Sequence, residues 1–284
     1  MKKTILAVYG GTKIKYEMLT FSGGERHVQI DLDTMKEAER DLYIRANLNS
    51  SQDIIDLLLI HSAILSQHLQ LEGRSLNFTL HIPYMPYARQ DRVCAQGQAF
   101  SLNIMCKLIN GMRPTKVFAE DIHSDVAGKI LDAEFTSIAP HAIIRRSDEL
   151  VRTLSSSDTL LICPDKGAVD RCSDVIDVFD MTPMVLCTKV RDPETGWITE
   201  TKVDADDLTG KNCVIIDDIC DGGMTFIKIA ETLQEKNADR VTLYVTHGIF
   251  SKGIEVFDNL IDDIYAANMI PSSINETNDL IKVK

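Results

Sequence analysis

The sequence predicts an α/β fold of two similar domains, each a mainly parallel sheet with helices on both faces. Three observations predict it. Short apolar runs recur along the 284 residues, separated by segments with helical spacing, the alternation that builds parallel sheets. Polar clusters fall where several of those runs end, and ligands of open α/β sheets bind beyond the carboxyl ends of strands. The length suits one large domain or two modest ones, each able to bury a core. A boundary near Ala139-Pro140 divides the chain into residues 1–139 and 140–284.

The elements follow in order. Thr4 to Tyr9, Tyr16 to Phe21, His27 to Leu32 and Asp41 to Ala46 read as strands, the early ones spaced closely as in hairpins. Ser51 offers a helix cap before Ile54-Ile55, Leu57-Leu58, Ile60 and Ile64-Leu65, a strongly apolar helix. Leu76 to Ile82 is a strand ending at Pro83, Ser101 to Asn110 a helix closed by Gly111, and Lys116 to Ala119 a strand ending at Glu120-Asp121. A second alternation begins with a helix around Ile143 to Leu154, a strand at Thr159 to Cys163 and a helix from Val169. Strands then come at Met184 to Val190 and Cys213 to Ile216, followed by a helix to Lys236 and a strand at Arg240 to Thr246. Asp192 to Asp207 is the one long polar excursion and reads as a hairpin flap or loop.

Composition narrows the function. A net charge of −12 speaks against a nucleic-acid or anionic-membrane partner. The seven cysteines form no CxxC pair, so they read as reduced thiols, and the expected location is the cytoplasm. The apolar run Ile5 to Tyr9 is too short for a signal peptide, and no stretch reads as long enough to span a membrane.

Five clusters carry chemistry. Val214 to Thr225 runs from an apolar strand through Asp217-Asp218 and Gly222-Gly223 to a helix start. Free N–H groups at such a start hold phosphate, and two carboxylates accept from neighbouring ribose hydroxyls. A βα turn with a solvated Asp pair fits that stretch equally well. Tyr84 to Arg92 sets arginines, an amide and a carboxylate among aromatics, and arginine forks suit phosphate. A surface loop with ion pairs is its plain alternative. Asp121-Ile122-His123-Ser124 follows a strand, and a lone histidine is more often a surface or core residue than a ligand. Cys163 to Arg171 repeats the strand, acidic turn, glycine and helix start, and Asp165 suits Mg²⁺, which prefers carboxylate and phosphate oxygens. Lys189 and Arg191 alternate on a strand and so share a face.

Together the clusters resemble the ribose-phosphate pyrophosphokinase (PRPP synthetase) family, from Phe21-Ser22-Gly23-Gly24-Glu25 to Thr246-His247-Gly248-Ile249-Phe250-Ser251. Ile82 to Arg92 is nearly the family's ATP-site motif, Asp121-Ile122-His123 is similar to its Asp-Leu-His, and Pro164-Asp165-Lys166-Gly167 to its Pro-Asp-Ala-Gly. Lys189 and Arg191 match its Lys-x-Arg, and Asp217 to Thr225 matches its PRPP loop in part. The resemblance implies a type I phosphoribosyltransferase-like fold. It also implies transfer of the β,γ-diphosphate of MgATP to the C1 hydroxyl of a ribose 5-phosphate moiety, with release of AMP. On that basis Phe21, Glu25, Arg89, Gln90 and Asp91 hold ATP. His123 and Asp165 serve Mg²⁺ and its phosphates, and Lys189, Arg191 and His123 are catalytic. Asp217 and Asp218 hold ribose hydroxyls, while Asp221, Gly222, Gly223, Met224 and Thr225 hold the 5-phosphate. A neighbouring subunit completes the family's adenine site, so a homo-oligomer, dimer or hexamer, is expected.

The departures matter. The usual Asp-Thr-Gly-Gly-Thr loop stands here as Asp221-Gly222-Gly223-Met224-Thr225, without one hydroxyl donor. A substituted 5-phosphate carries less charge and fewer free oxygens than a monoester. The acceptor is therefore ribose 5-phosphate, giving PRPP, or ADP-ribose, giving ADP-ribose pyrophosphate in NAD⁺ resynthesis. Gly23 replaces a polar residue near adenine, and Ala99-Phe100-Ser101 replaces a Pro-Ile stretch. Against the family's pattern, the short segment before Phe21 is expected to lack the usual first helix, and the stretch soon after Asn268-Met269-Ile270-Pro271 to lack the customary final one. A non-catalytic regulatory homologue is the rival class, and a phosphoribosyltransferase is a weaker one. Neither needs the ATP motif together with His123, Asp165, Lys189 and Arg191.

Overall fold

The computed structural model describes residues 4–35, 40–72, 75–180, 184–191, 198–271 and 281–283. Contacts divide the chain into two compact units, one running to Ile138 and the other from Ala139 to Pro271 with the segment 281–283.

The first unit contains β1 (Ile5–Tyr9), β2 (Thr12–Lys13), β3 (Tyr16–Thr20), β4 (Arg26–Ile30), β5 (Asp41–Ala46), α1 (Ser51–Glu72), β6 (Asn77–His81), α2 (Ser101–Met112), β7 (Lys116–Glu120), α3 (Val126–Ile130) and β8 (Glu134–Ile138). Its sheet has the order β2-β1-β5-β6-β7-β8. Strands β5 to β8 are parallel, and β1 runs antiparallel to β5. Between β1 and β3 only the short β2 intervenes, with no helix among these described residues. Strands β3 and β4 form a separate hairpin. Arg26 fastens it to α1, with Nε and Nη2 donating to the Asp56 carboxylate at 2.8 and 2.5 Å.

Ser50, rather than Ser51, caps α1: its Oγ accepts from the Asp53 N–H at 3.2 Å. The buried side chains Ile54, Leu57, Ile60 and Ile64 give α1 a core-facing stripe at helical spacing. By length and composition alone, Ser51–Leu71 is apolar enough to cross a bilayer, which corrects the reading of no such stretch. The burial of that stripe in the first unit's core assigns the helix's apolarity to packing. Helix α2 runs past Gly111 to Met112 and stops at Arg113 in the left-handed region, φ 56°. Burial of Met112 carries the helix beyond the glycine.

The second unit contains α4 (Pro140–Ile144), α5 (Asp148–Leu154), β9 (Thr159–Cys163), α6 (Val169–Phe179), β10 (Val185–Arg191), β11 (Ile198–Val203), β12 (Asn212–Cys220), α7 (Met224–Glu235), β13 (Arg240–Gly248), β14 (Asp263–Met269) and β15 (Ile281–Lys282). The helix expected around Ile143 to Leu154 is two helices, because Ser147 turns outward and its Oγ caps the second at the Leu150 N–H. Part of the polar excursion expected at Asp192 to Asp207 is β11, which pairs antiparallel with β10, and residues 192–197 lie outside the described residues. The seven-stranded sheet has the order β11-β10-β9-β12-β13-β14-β15. From β9 the chain crosses by α6 to β10 on one side, then returns to β12 and crosses by α7 to β13 on the other. Right-handed crossovers in opposite directions put α6 and α7 on opposite faces. The carboxyl ends of β9 and β12 are therefore the topological switch point, where α/β sheets open a crevice. The seven cysteines are free, and only Cys94 is exposed.

Candidate active site

At the switch point of the second unit, β12 does not stop at Ile216 as its apolar run suggests. It pairs with β13 as far as Cys220, so Asp217 and Asp218 lie inside the strand. Their side chains are 18% and 7% exposed. Arg171, from the first turns of α6, reaches both: Nη1 stands 3.4 Å from Asp217 Oδ1 and Nη2 3.7 Å from Asp218 Oδ2. The Asp218 N–H donates to Asp217 Oδ1 at 2.9 Å. Burial raises the Asp217 carboxyl well above its ordinary range, and the Asp218 charge raises it further, while Arg171 opposes both. An acidic pair held this way presents acceptor oxygens to neighbouring hydroxyls without having to reorganise first.

After Cys220 the chain turns through Asp221, Gly222 and Gly223 into α7. Gly223 has φ 78°, and a Cβ there would stand 2.5 Å from the Phe257 ring. Only glycine fits both the conformation and the contact. Met224 and Thr225 open the helix, Met224 being 64% exposed. The turn after β13 closes over this loop. Ser251 donates to Asp221 twice, from its N–H to the carbonyl at 3.1 Å and from Oγ to Oδ1 at 2.7 Å. After the neighbouring β9, Asp165 caps a short turn into α6 by accepting from the Gly167 N–H at 2.9 Å. Lys189 and Arg191 belong to β10, whose pairing with β11 shifts register between Val190 and Arg191. Their side chains lie outside the described residues.

In the first unit the corresponding strand ends are those of β6 and β7. The Glu120 N–H donates to the Pro83 carbonyl at 3.0 Å, so the loops carrying Arg89-Gln90-Asp91 and His123 leave the sheet side by side. The first of these loops bends at Tyr87, φ 64°, and Tyr87 Oη meets Ser51 Oγ at 3.3 Å. The Gln90 carbonyl accepts from the Leu102 N–H at 3.3 Å, joining the loop to α2. Arg89 and Gln90 are exposed and Asp91 is half-buried. His123 is exposed beyond Asp121, which sits buried at φ 40°. Phe21 and Glu25 lie at the tip of the β3–β4 hairpin, where the Phe21 N–H donates to the Glu25 carbonyl at 2.9 Å and the Phe21 ring is 55% exposed.

Arg171, Ser251 and Lys252 were not singled out by sequence reasoning. Arg171 closes the Cys163 to Arg171 run and Ser251 closes the Thr246 to Ser251 run, so position was the available signal, but their partners lie across α6–β12 and β13–β12. Among the described residues no group of three or more His, Cys, Asp or Glu side chains is placed to hold a metal. Mg²⁺ carried on substrate phosphates with one or two protein ligands requires none.

The phosphoribosyl transferase domain family matches residues 136–265. The ribose-phosphate pyrophosphokinase of Pyrococcus furiosus is 28% identical over 264 residues, 92% of this chain and 88% of the relative. That of Mycoplasma genitalium is 28% identical over 260 residues, 88% of this chain and 74% of the relative. The crystal structure of phosphoribosylpyrophosphate synthetase from Mycobacterium smegmatis shares the fold at a TM-score of 0.73 and 20% identity, covering 93% of this chain and 83% of that one. Motifs on two sheets, the switch-point architecture and relatives matched along most of their length make this chain a homologue of the ribose-phosphate pyrophosphokinases and a transferase.

Proposed function

We propose that the chain moves the β,γ-diphosphate of MgATP to the C1 hydroxyl of a ribose 5-phosphate moiety and releases AMP. The observation that carries this reading is the Asp217-Asp218 pair, braced by Arg171 at the switch point and followed directly by the Gly223-seated loop. A pentose phosphate needs both features: acceptors for its 2- and 3-hydroxyls, and N–H donors for its phosphate. Asp217 and Asp218 orient the ribose, and the loop 221–225 takes the 5-phosphate. Arg89, Gln90 and Asp91 hold ATP, with Phe21 and Glu25 serving the adenine of a neighbouring copy in a cytoplasmic homo-oligomer. Mg²⁺ neutralises charge on the transferring phosphates. Asp165, fixed by its bond to Gly167, and His123 would hold the ion and its phosphates. Lys189 and Arg191 stabilise charge on the transferring group. Chemistry of this kind rests on positioning and charge stabilisation rather than on a covalent protein intermediate.

The default acceptor is ribose 5-phosphate. ADP-ribose is favoured by one observation: Gly222 stands where the usual loop has the threonine hydroxyl that a monoester would use, and Met224, exposed at the mouth of the loop, stands where it has glycine. The test is AMP formation from MgATP with ribose 5-phosphate and ADP-ribose side by side. AMP made faster with either acceptor than with none supports transfer and names the substrate. ATP left intact with both would sink the reading.

A further inference from the structure

We propose that Lys252 is a phosphate-recognising residue of the acceptor site, its ammonium taking up the charge of the acceptor's 5-phosphoryl group. The inference rests on the acceptor site proposed above and adds to it a residue from a different turn.

The argument begins with charge. The end of β12 and the loop after it carry three carboxylates, Asp217, Asp218 and Asp221, and the one arginine among them, Arg171, is engaged with the first two. A phosphate monoester brings roughly −1.5 to −2 more. The start of α7 offers N–H groups and about half a positive charge, too little to hold that anion beside Asp221. On α7 itself, Lys228 is paired with Glu231 at 2.8 Å. A further cation is needed at the loop.

The turn after β13 supplies one. The Ile249 and Phe250 N–H groups both donate to the Cys220 carbonyl, at 2.8 and 3.2 Å, and Ser251 holds Asp221 through backbone and side chain. Four hydrogen bonds from three successive residues thus fix this turn on the loop, and Lys252 comes next. Its stem lies against Gly222, where a Cβ would meet Lys252 Cγ at 3.5 Å. The Lys252 ammonium has no hydrogen-bond or ion-pair partner among the described residues. A stem seated on the loop with its cation unengaged is the arrangement by which lysine binds phosphate as a point charge. The bonds from Ser251 meanwhile hold the Asp221 carboxylate in the turn.

The test uses the full chain. Ribose 5-phosphate and unphosphorylated ribose are titrated by calorimetry into wild type, Lys252→Ala and Lys252→Arg, and acceptor KM is measured from AMP release. We expect Lys252→Ala to weaken ribose 5-phosphate binding about tenfold, with Lys252→Arg recovering most of it. Acceptor KM should rise in step in Lys252→Ala, while kcat and the KM for ATP stay within about twofold. Equal ribose 5-phosphate affinity in wild type and Lys252→Ala would overturn the role of Lys252 even with a fully active enzyme. An equal loss for ribose would overturn it too, since the effect would then not be on the phosphate. If wild type binds ribose 5-phosphate through Lys252 but transfers nothing to any acceptor, the phosphate site stands and the proposed reaction falls.

Discussion

The two units carry their candidate residues in opposite states. In the second, Asp217 and Asp218 are largely buried, bonded to one another and to Arg171, and the loop beyond them rests on Phe257. In the first, Phe21, Glu25, Arg89, Gln90 and His123 are exposed on turns. Like charges drawn together in a buried place cost stability before any ligand arrives, whereas exposed side chains cost little until binding orders them. On the proposed reading, the sugar site is a preformed cradle and the nucleotide site a surface that the ligand organises. The contrast also predicts that substitutions in the two units will differ in kind.

The largest effect belongs to Asp217→Asn. Acceptor-dependent turnover should fall by roughly 10- to 100-fold, the worth of a hydrogen bond to a charged group. Stability should move the other way. The folded-state pKa of Asp217 is raised, chiefly by burial and then by Asp218. A raised group contributes stability below its unfolded pKa and loses it as pH rises towards the folded value. Wild type should therefore lose stability from this group as pH climbs above the ordinary carboxylate range. Asparagine should remove that slope and add roughly 0.5–2 kcal/mol at neutral pH. Thermal melts across pH, alongside AMP release, check both. A variant that is inactive and less stable at neutral pH would show that the pair carries no built-in strain.

Gly223→Ala asks whether the loop is as tightly seated as the acidic pair. The new methyl meets the Phe257 ring, and alanine must adopt the left-handed conformation that Gly223 already has. Stability should drop by roughly 1–3 kcal/mol, with a higher acceptor KM. A melting temperature unchanged from wild type would mean that the loop floats free of Phe257. Arg89→Ala tests the other unit. Removing an exposed side chain should leave stability within about 0.5 kcal/mol, while the KM for ATP rises about tenfold through loss of a charge-assisted contact. A marked fall in melting temperature would erase the distinction between the units.

The same contrast explains what could be read in advance. Strands such as β9 and helices such as α6 announce themselves because apolar side chains at periods of two or near 3.6 face a core. The end of β12 was hidden because Asp217 and Asp218 interrupt the apolar run, although the ladder to β13 continues to Gly248. Gly111 reads as a helix stop, yet burial of Met112 carries α2 past it. Edge strand β8 has no fully buried residue to mark it. Within the site, side chains on motif loops were legible by type and spacing. Arg171 and Lys252 were not, because what matters about them is what they face from another element, and no local pattern encodes that.

The smallest effect, and the most informative about the acceptor, is expected from Met224→Thr. Met224 projects from the first turn of α7 and is exposed, so the change should leave stability alone. It adds a hydroxyl at the mouth of the loop proposed for the phosphate, two residues from Gly222, where the usual threonine hydroxyl is missing. A monoester has a third free oxygen to receive that hydrogen bond, and a substituted phosphate has none to spare. A neutral hydrogen bond is worth about 0.5–1.5 kcal/mol, so the ratio of ribose 5-phosphate to ADP-ribose use should shift towards ribose 5-phosphate by roughly two- to tenfold. The ratio is the quantity to measure, because it cancels any common loss of activity in the variant. If it stays at the wild-type value, the thioether has no part in acceptor choice, and discrimination must lie beyond the loop.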